Sequence, residues 1–334
     1  MTVAEQPLTT DEALRTLVRP LGEMVSYEQL KGGMFATTYR VTLDDGTRVI
    51  AKTAPTETHR LLTYELDLIR TEALVYRLAE GRDLLMPTVL LTDFSRTVLP
   101  SDVVVVSHLD GVPLVDAGFG PADEDPRAAR AEHELGRFMA RMHTLTGERF
   151  GYPNEANGLV GGTWREAFGR MVEAVLADAA RTGTDFPTDE IRAAVARNVP
   201  ALDVVDRPVL VHTDLWPGNL FVDPGSGEIV GVIDTERSIW ADPLYDFVGA
   251  DCMVQGPELN PRVLAGYVEA AGVPLDVTSD NAVVRQTLYR LMITLIIITE
   301  INPRQFEGDW LVEYRQTLWA NLRAFVERLG RTAP

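Results

Sequence analysis

The chain has 334 residues, 46% of them apolar, and 49 acidic against 31 basic side chains give a net charge of −18. That length fits two domains, or two lobes sharing a cleft, with ample material for packed cores. The acidic balance argues against a nucleic-acid partner, whose phosphates need clustered Lys and Arg, and is compatible with a cationic ligand.

In chain order, the first twelve residues lack a basic stretch leading into an apolar one, so no signal peptide is expected. Residues 11–18 predict a short helix. From Glu28 to Pro55 the chain reads as strands. Thr38–Leu43 alternates and is rich in β-branched residues, Asp44-Asp45-Gly46 is a hairpin turn, and Arg48–Lys52 returns as the partner strand. Leu61–Ala79 places Leu62, Leu66, Ile69, Leu74 and Leu78 at helical spacing. Thr88–Leu91 and Val103–Val106 predict two more strands, so the order is β-β-β-α-β-β. After Gly111 the pattern turns helical, with helices expected over Ala129–His143, Trp164–Arg181 and Glu190–Asn198. Val209–Val211 reads as a strand, and Leu220–Val222 and Ile229–Ile233 as a hairpin around Pro224-Gly225-Ser226-Gly227. Cys252 is the sole cysteine, so no intrachain disulfide can form. The longest apolar run, Leu291–Ile298, is too short to span a bilayer and predicts a buried helix. The expected location is the cytoplasm, with no membrane partner. The fold class is α+β: a β-rich lobe over residues 1–107 and a larger helical lobe over 108–334.

The chemistry concentrates in Val211-His212-Thr213-Asp214-Leu215-Trp216-Pro217-Gly218-Asn219 and in Gly231-Val232-Ile233-Asp234. Phosphoryl transfer needs a carboxylate to orient or deprotonate the attacking hydroxyl, and oxygen ligands to hold Mg²⁺ on the nucleotide phosphates. Asp214 is the candidate catalytic acid-base group. Asn219 and Asp234 are the candidate metal ligands, hard oxygens of the kind Mg²⁺ takes one or two at a time. The same order of Asp, Asn and a later Asp characterises protein kinases. His212 is expected to brace the loop.

Lysine occurs only at Lys31 and Lys52. Lys52 follows Val49-Ile50-Ala51 on a strand, an unfavourable place for a solvated base, and suits contact with nucleotide phosphates. A carboxylate must hold it; Glu72 is the first choice and Glu65, seven residues earlier on the same expected helix, the rival. Gly32-Gly33 would let backbone approach phosphates, with Gly33 the candidate contact. No GxxxxGK[ST], GxSxG, HExxH or CxxC pattern is present, which removes the P-loop, common hydrolase, zincin and zinc-site readings.

With these residues in place, the chain resembles the aminoglycoside phosphotransferase family, small-molecule kinases with a bilobal protein-kinase-like fold. The resemblance runs over about residues 25–330. His212–Asn219 resembles the family's HxDxxxxN loop, and Ile233-Asp234 its metal-binding Ile-Asp. Arg237, Ala241-Asp242-Pro243 and Asp246 resemble the downstream stretch, where an Asp like Asp246 braces the loop. Val104–Gly111 resembles the strand and hinge that meet the nucleobase through backbone groups, which implicates Ser107 and Leu109. Thr213 and Trp216 stand where many relatives have Gly and His. The resemblance implies transfer of phosphate from ATP or GTP, with Mg²⁺, to a hydroxyl of an antibiotic-like acceptor. Trp216, Glu236, Arg237 and Glu300 are candidate acceptor contacts, with Glu307 and Asp309 as further acids of a pocket suited to an aminoglycoside. Choline, homoserine or methylthioribose kinases share this fold, so a metabolite acceptor is the alternative. A nucleotide-binding module without catalysis would lack one of Asp214, Asn219, Asp234 or Lys52. A protein kinase would carry an Ala-Pro-Glu segment after Asp234, which this chain does not.

Overall fold

The structure, a computed structural model, describes residues 10–30 and 35–331. Five antiparallel strands form the sheet of the smaller lobe: β1 (Met24–Gln29), β2 (Thr37–Leu43), β3 (Arg48–Thr53), β4 (Val89–Asp93) and β5 (Val103–Ser107), in the order β1-β2-β3-β5-β4. The β2–β3 turn closes on Gly46, at φ +85°, a left-handed conformation that costs glycine little.

Both faces of this sheet are covered, which explains why Val103–Val106 is apolar without alternation. Helix α1 (Thr10–Val18) buries Leu14, Leu17 and Val18 against Val41, Val49, Ala51, Val103 and Val105. Helix α2 (Leu68–Ala79) packs Ile69, Ala73 and Tyr76 against Val104 and Val106 on the opposite face. Lys52 pairs in register with Val104. The period of two therefore turns its side chain toward α2.

Helix α2 is shorter than the periodicity predicts. Thr63–Glu65 forms a 3₁₀ turn, and Asp67 adopts φ +61° immediately before the helix begins at Leu68. Glu65 thus lies outside α2. Its carboxylate accepts from Leu62 N at 2.8 Å and pairs with Arg304 at 2.5 Å.

The larger lobe is built from α3 (Pro126–Met142), α4 (Trp164–Arg181), α5 (Thr188–Asn198), α6 (Leu244–Gly249), α7 (Pro261–Ala271), α8 (Asp280–Glu300) and α9 (Trp310–Arg331). Helix α3 begins three residues before its apolar stripe, because the Asp125 side chain caps Arg127 N at 2.9 Å and Pro126 suits the first turn. Short strands link the helices: β6 (Val112–Pro113), β7 (Phe150–Gly151), β8 (Val160–Gly161), β9 (Val209–Val211), β10 (Leu220–Val222), β11 (Ile229–Val232) and β12 (Ile239–Ala241). They form sheets ordered β11-β10-β6 and β8-β7-β12-β9.

Helix α8 is long and apolar enough to cross a membrane, but it is mostly buried and packs against α4, α5, α6 and α9. Its Tyr289 hydroxyl accepts from Trp164 Nε1 at 2.8 Å and donates to Asp242 at 2.6 Å, and Arg285 also pairs with Asp242. Asp242, in the Ala-Asp-Pro stretch, is thereby a buried anchor between β12 and α8. Cys252 is largely buried beside this core, and burial pushes its thiol up to about 11, further raised by Asp214 and Asp251.

Helices α3 and α7 cross with their backbones in contact through Gly136 and Gly266. A Cβ at Gly136 would meet Val263 O at 1.9 Å, and one at Gly266 would meet His133 O at 1.9 Å. Gly266→Ala is expected to destabilise the protein by about 1–3 kcal/mol through overpacking. Gly169→Ala, in the interior of α4 with no atom near the new Cβ, should instead stabilise by up to ~1 kcal/mol. Urea denaturation checks both signs; equal effects would refute the close crossing.

Candidate active site

Strands β9 and β12 pair antiparallel, Val211 opposite Ile239. The loop leaving β9 and the turn entering β12 therefore lie at one end of the same ribbon. The hairpin β10–β11 closes the gap between them, since Ile233 N donates to Asn219 O at 3.0 Å. This topology brings Asp214, Asn219 and Asp234 into one corner, although twenty residues separate the first and last.

His212 ties the corner together. Its Nδ1 accepts from Asp214 N at 3.3 Å and its Nε2 meets Ile233 O at 2.9 Å. The tautomer with hydrogen on Nε2 satisfies both contacts. Asn219 Nδ2 donates to Asp214 O at 2.9 Å, which orients the amide and leaves Oδ1 as its remaining polar atom. Asp246, fully buried in α6, accepts from Thr213 N at 2.7 Å and meets His143 Nε2 at 2.9 Å. Thr213 sits at φ +70°, a left-handed conformation costly for a β-branched side chain. The Asp246 contact and a bond from Thr213 Oγ1 to Arg237 O, at 3.1 Å, hold it there.

The smaller lobe reaches this corner through Lys52. Its Nζ donates to Glu72 Oε1 at 2.8 Å and to Asp234 Oδ1 at 2.6 Å, with Glu236 Oε2 3.6 Å away. Tyr76, one turn beyond Glu72, donates to the same Glu72 oxygen at 2.7 Å and accepts from Asp234 N at 3.0 Å. Burial alone would lower the Lys52 pKa, but Asp234, Glu72 and Glu236 together raise it well above the usual value. Burial pushes the Asp234 carboxyl up; the Lys52 charge and hydrogen bond, with His212 and Arg237, overcome this and bring it below the usual range. Asp214 moves the other way. Burial is the largest cause, and Asp234 adds to it against the pull of Arg237 and His212, so its carboxyl lies above the ordinary value.

The candidate acceptor contacts are placed differently from the sequence expectation. Glu236 is buried beside Lys52, and burial with the charges of Asp234 and Glu72, opposed by Lys52, pushes it up to about 8. Glu300 is buried as well, accepting from Tyr64 and pairing with Arg237 at 3.0 Å and Arg304 at 3.3 Å. Neither offers a free carboxylate to a cationic acceptor, because a buried charge persists only when paired. Arg237 is half-buried over the Tyr64 ring. Trp216 is 46% exposed, its indole lying across Gly218, where a Cβ would come within 2.2 Å of the ring. Glu307 and Asp309 are exposed.

At the end of β5, Ser107 N donates to Thr88 O and its Oγ accepts from Thr88 N, both at 2.9 Å. Its N–H is therefore committed. Leu109 rests on Gly231, where a Cβ would approach its methyl group to 2.5 Å. Gly33 lies outside the described residues. Sequence reasoning missed Tyr76, although its position four residues after Glu72 on one helix face was a signal. It also missed Glu236 as a neighbour of Lys52, and His143.

The donor set suits a hard divalent cation. Asp234 is held ionised with Oδ1 on Lys52, and Asn219 Oδ1 lies on the adjacent strand end. Glu72, Asp234 and Glu236 each offer an oxygen within 4.8 Å of the others. Glu72 Oε2 and Glu236 Oε2 are buried without hydrogen-bond partners.

Residues 26–285 match the phosphotransferase enzyme family. The chain belongs to that family. It is a phosphotransferase, and its kinase-like fold recurs in solved structures. A protein provisionally named as an aminoglycoside phosphotransferase, from Ralstonia eutropha, has TM-score 0.64 at 17% identity, over 97% of this chain and 99% of that one. A provisionally named fructosamine-3-kinase from Thermobifida fusca has TM-score 0.62 at 22% identity, over 96% and 99%. The ADP-bound aminoglycoside phosphotransferase APH(2'')-Ib has TM-score 0.58 at 14% identity, over 96% and 99%. No curated protein matches the sequence.

Gly249, at the end of α6, abuts the loop: a Cβ there would stand 2.4 Å from Thr213 O. Gly249→Ala should displace the Asp214 loop and lower kcat on the order of 10²-fold, with nucleotide affinity little changed. An unchanged kcat would show that the loop does not depend on this contact.

Proposed function

We propose that this phosphotransferase moves the γ-phosphoryl group of ATP or GTP to a hydroxyl on a small molecule, with Asp214 as the group that orients and deprotonates that hydroxyl. The supporting observation is the single corner shared by Asp214, Asn219, Asp234 and Lys52. Burial raises the Asp214 carboxyl, which improves it as a general base relative to an ordinary surface acid. Its loop is fixed from two sides, by Asp246 on Thr213 N and by Asn219 on Asp214 O. The hydroxyl therefore meets a base already in position.

Lys52, held by Glu72, would contact the nucleotide phosphates, and Ser107 and Leu109 would frame the base. Asn219 and Asp234 would hold Mg²⁺, which supplies neutralisation of phosphate charge when bound. The nucleotide lies between the lobes, whose boundary we place between residues 107 and 108. The reaction belongs to the cytoplasm, with no role for nucleic acid or membrane.

For the acceptor, we favour an antibiotic-type molecule, in line with the aminoglycoside phosphotransferase names among the structural neighbours, in a resistance or self-protection role. The fructosamine-3-kinase neighbour favours a second reading, a metabolite acceptor. The charge argument for an aminoglycoside is weaker than the sequence implied, since Glu236 and Glu300 are already paired.

Asp214→Asn should lower kcat by at least about 10²-fold, within the range of general-base assistance, while ATP still binds in calorimetry. Turnover close to wild type would remove Asp214 from the chemistry. Lys52→Arg should also impair transfer, because a planar guanidinium cannot replace a compact ammonium between Glu72 and Asp234. An unaffected kcat/KM would argue against phosphate contact. A panel of antibiotics and sugar amines, screened for nucleotide consumption, separates the two acceptor readings.

A further inference from the structure

Tyr76 carries a hydroxyl into the apolar layer between α2 and the small sheet, where its ring packs with Ile69, Ala73, Val104 and Val106 and is buried. A phenylalanine would fill that layer equally well. A buried hydroxyl is costly unless it is hydrogen-bonded, so its partners identify its use. It donates to Glu72 Oε1 at 2.7 Å and accepts from Asp234 N at 3.0 Å. The first partner lies four residues earlier on the same helix face. The second comes from the larger lobe, 158 residues away.

The oxygen that Tyr76 takes on Glu72 separates two roles. Oε1 already receives Lys52 Nζ at 2.8 Å, while Oε2 is buried with no partner. A hydroxyl serving only to satisfy Glu72 would stand on Oε2. Tyr76 instead shares Oε1, and from there its oxygen also meets Asp234 N. That N–H belongs to a residue at φ +68°, a backbone conformation that a Cβ disfavours. Ile233, just before it, is held from within the larger lobe by Asn219 O and His212 Nε2. Tyr76 supplies the hold from the smaller lobe.

We propose that Tyr76 is a positioning residue for metal binding: its hydroxyl ties the Lys52–Glu72 pair to the backbone of Asp234, so the Asp234 carboxylate is presented to Mg²⁺ only while α2 holds Lys52. The consequence for Mg²⁺ rests on the proposed role of Asp234; the tie itself does not.

Tyr76→Phe keeps the ring in its layer and removes only the hydroxyl. In the protein without metal or nucleotide, hydrogen exchange at the Asp234 amide, followed by NMR, should quicken at least about fivefold relative to the Val232 amide, the worth of one hydrogen bond. Val232 N donates to Leu85 O and not to Tyr76, so a general loosening of the fold would quicken both amides together. Calorimetry with ADP reads the metal. In Tyr76→Phe the tightening of ADP binding by Mg²⁺ should fall at least about fivefold, with binding in EDTA changed by less than about twofold. Asp234→Asn is the control for the role of Asp234: if it leaves the Mg²⁺ effect intact, the metal assignment fails and takes the proposal with it. If Asp234→Asn removes the Mg²⁺ effect and Tyr76→Phe does not, the assignment stands and the proposal alone is overturned. Unchanged exchange at Asp234, equal quickening at Val232, or ADP binding weakened equally with and without Mg²⁺ would each overturn it as well.

Discussion

One buried cation holds the two lobes in register. Lys52 arrives on a strand of the small sheet, and within 3 Å it finds a carboxylate from its own lobe, Glu72, and one from the other lobe, Asp234. Removing an ammonium from water costs several kcal/mol, so it stays charged in place only if its partners are exact in position. The requirement propagates outward. Val104 and Val106 set the face that receives α2, α2 sets Glu72 and Tyr76, and Tyr76 fixes the backbone of Asp234. The left-handed backbone at Asp234, φ +68°, is part of that arrangement.

The second constraint is on the loop carrying Asp214. Thr213 occupies a conformation that glycine adopts more cheaply, and the surroundings over-determine it. Asp246 binds its N–H, Arg237 its hydroxyl, and Gly249 lets α6 close on its carbonyl. Behind Asp246 stands His143, from the last turn of the α3 region, and behind α3 the glycine-mediated crossing with α7. Packing in the helical lobe thus sets the position of one carboxylate.

Much of this was legible in the sequence because it is written locally. Alternation and the Asp-Asp-Gly turn gave the β-β-β-α-β-β order, and Asp214, Asn219, Asp234, Lys52 and Glu72 each stand out by residue type and spacing; the structure brings these five together. What was not legible depends on partners distant in the chain. Glu300 reads as an acid open to an acceptor until Arg237 and Arg304 are placed around it, and Glu65 as a rival partner for Lys52 until Arg304 arrives from 239 residues away. His143 and Asp246, 103 apart, share no local signal. The early start predicted for α2 failed for a different reason. Leu62 and Leu66 keep helical spacing, but Asp67 breaks the backbone with a positive φ, which an aspartate tolerates and a single Asp inside an apolar periodicity does not announce.

In the proposed reaction Lys52 and Asp234 act as one unit that joins the nucleotide side to the metal side. A double-mutant cycle of Lys52→Met and Asp234→Asn, read out as Mg²⁺·ATP affinity, measures this directly. A coupling free energy of about 0.5–3 kcal/mol between the two positions is expected. Additive losses, with no coupling beyond error, would contradict it.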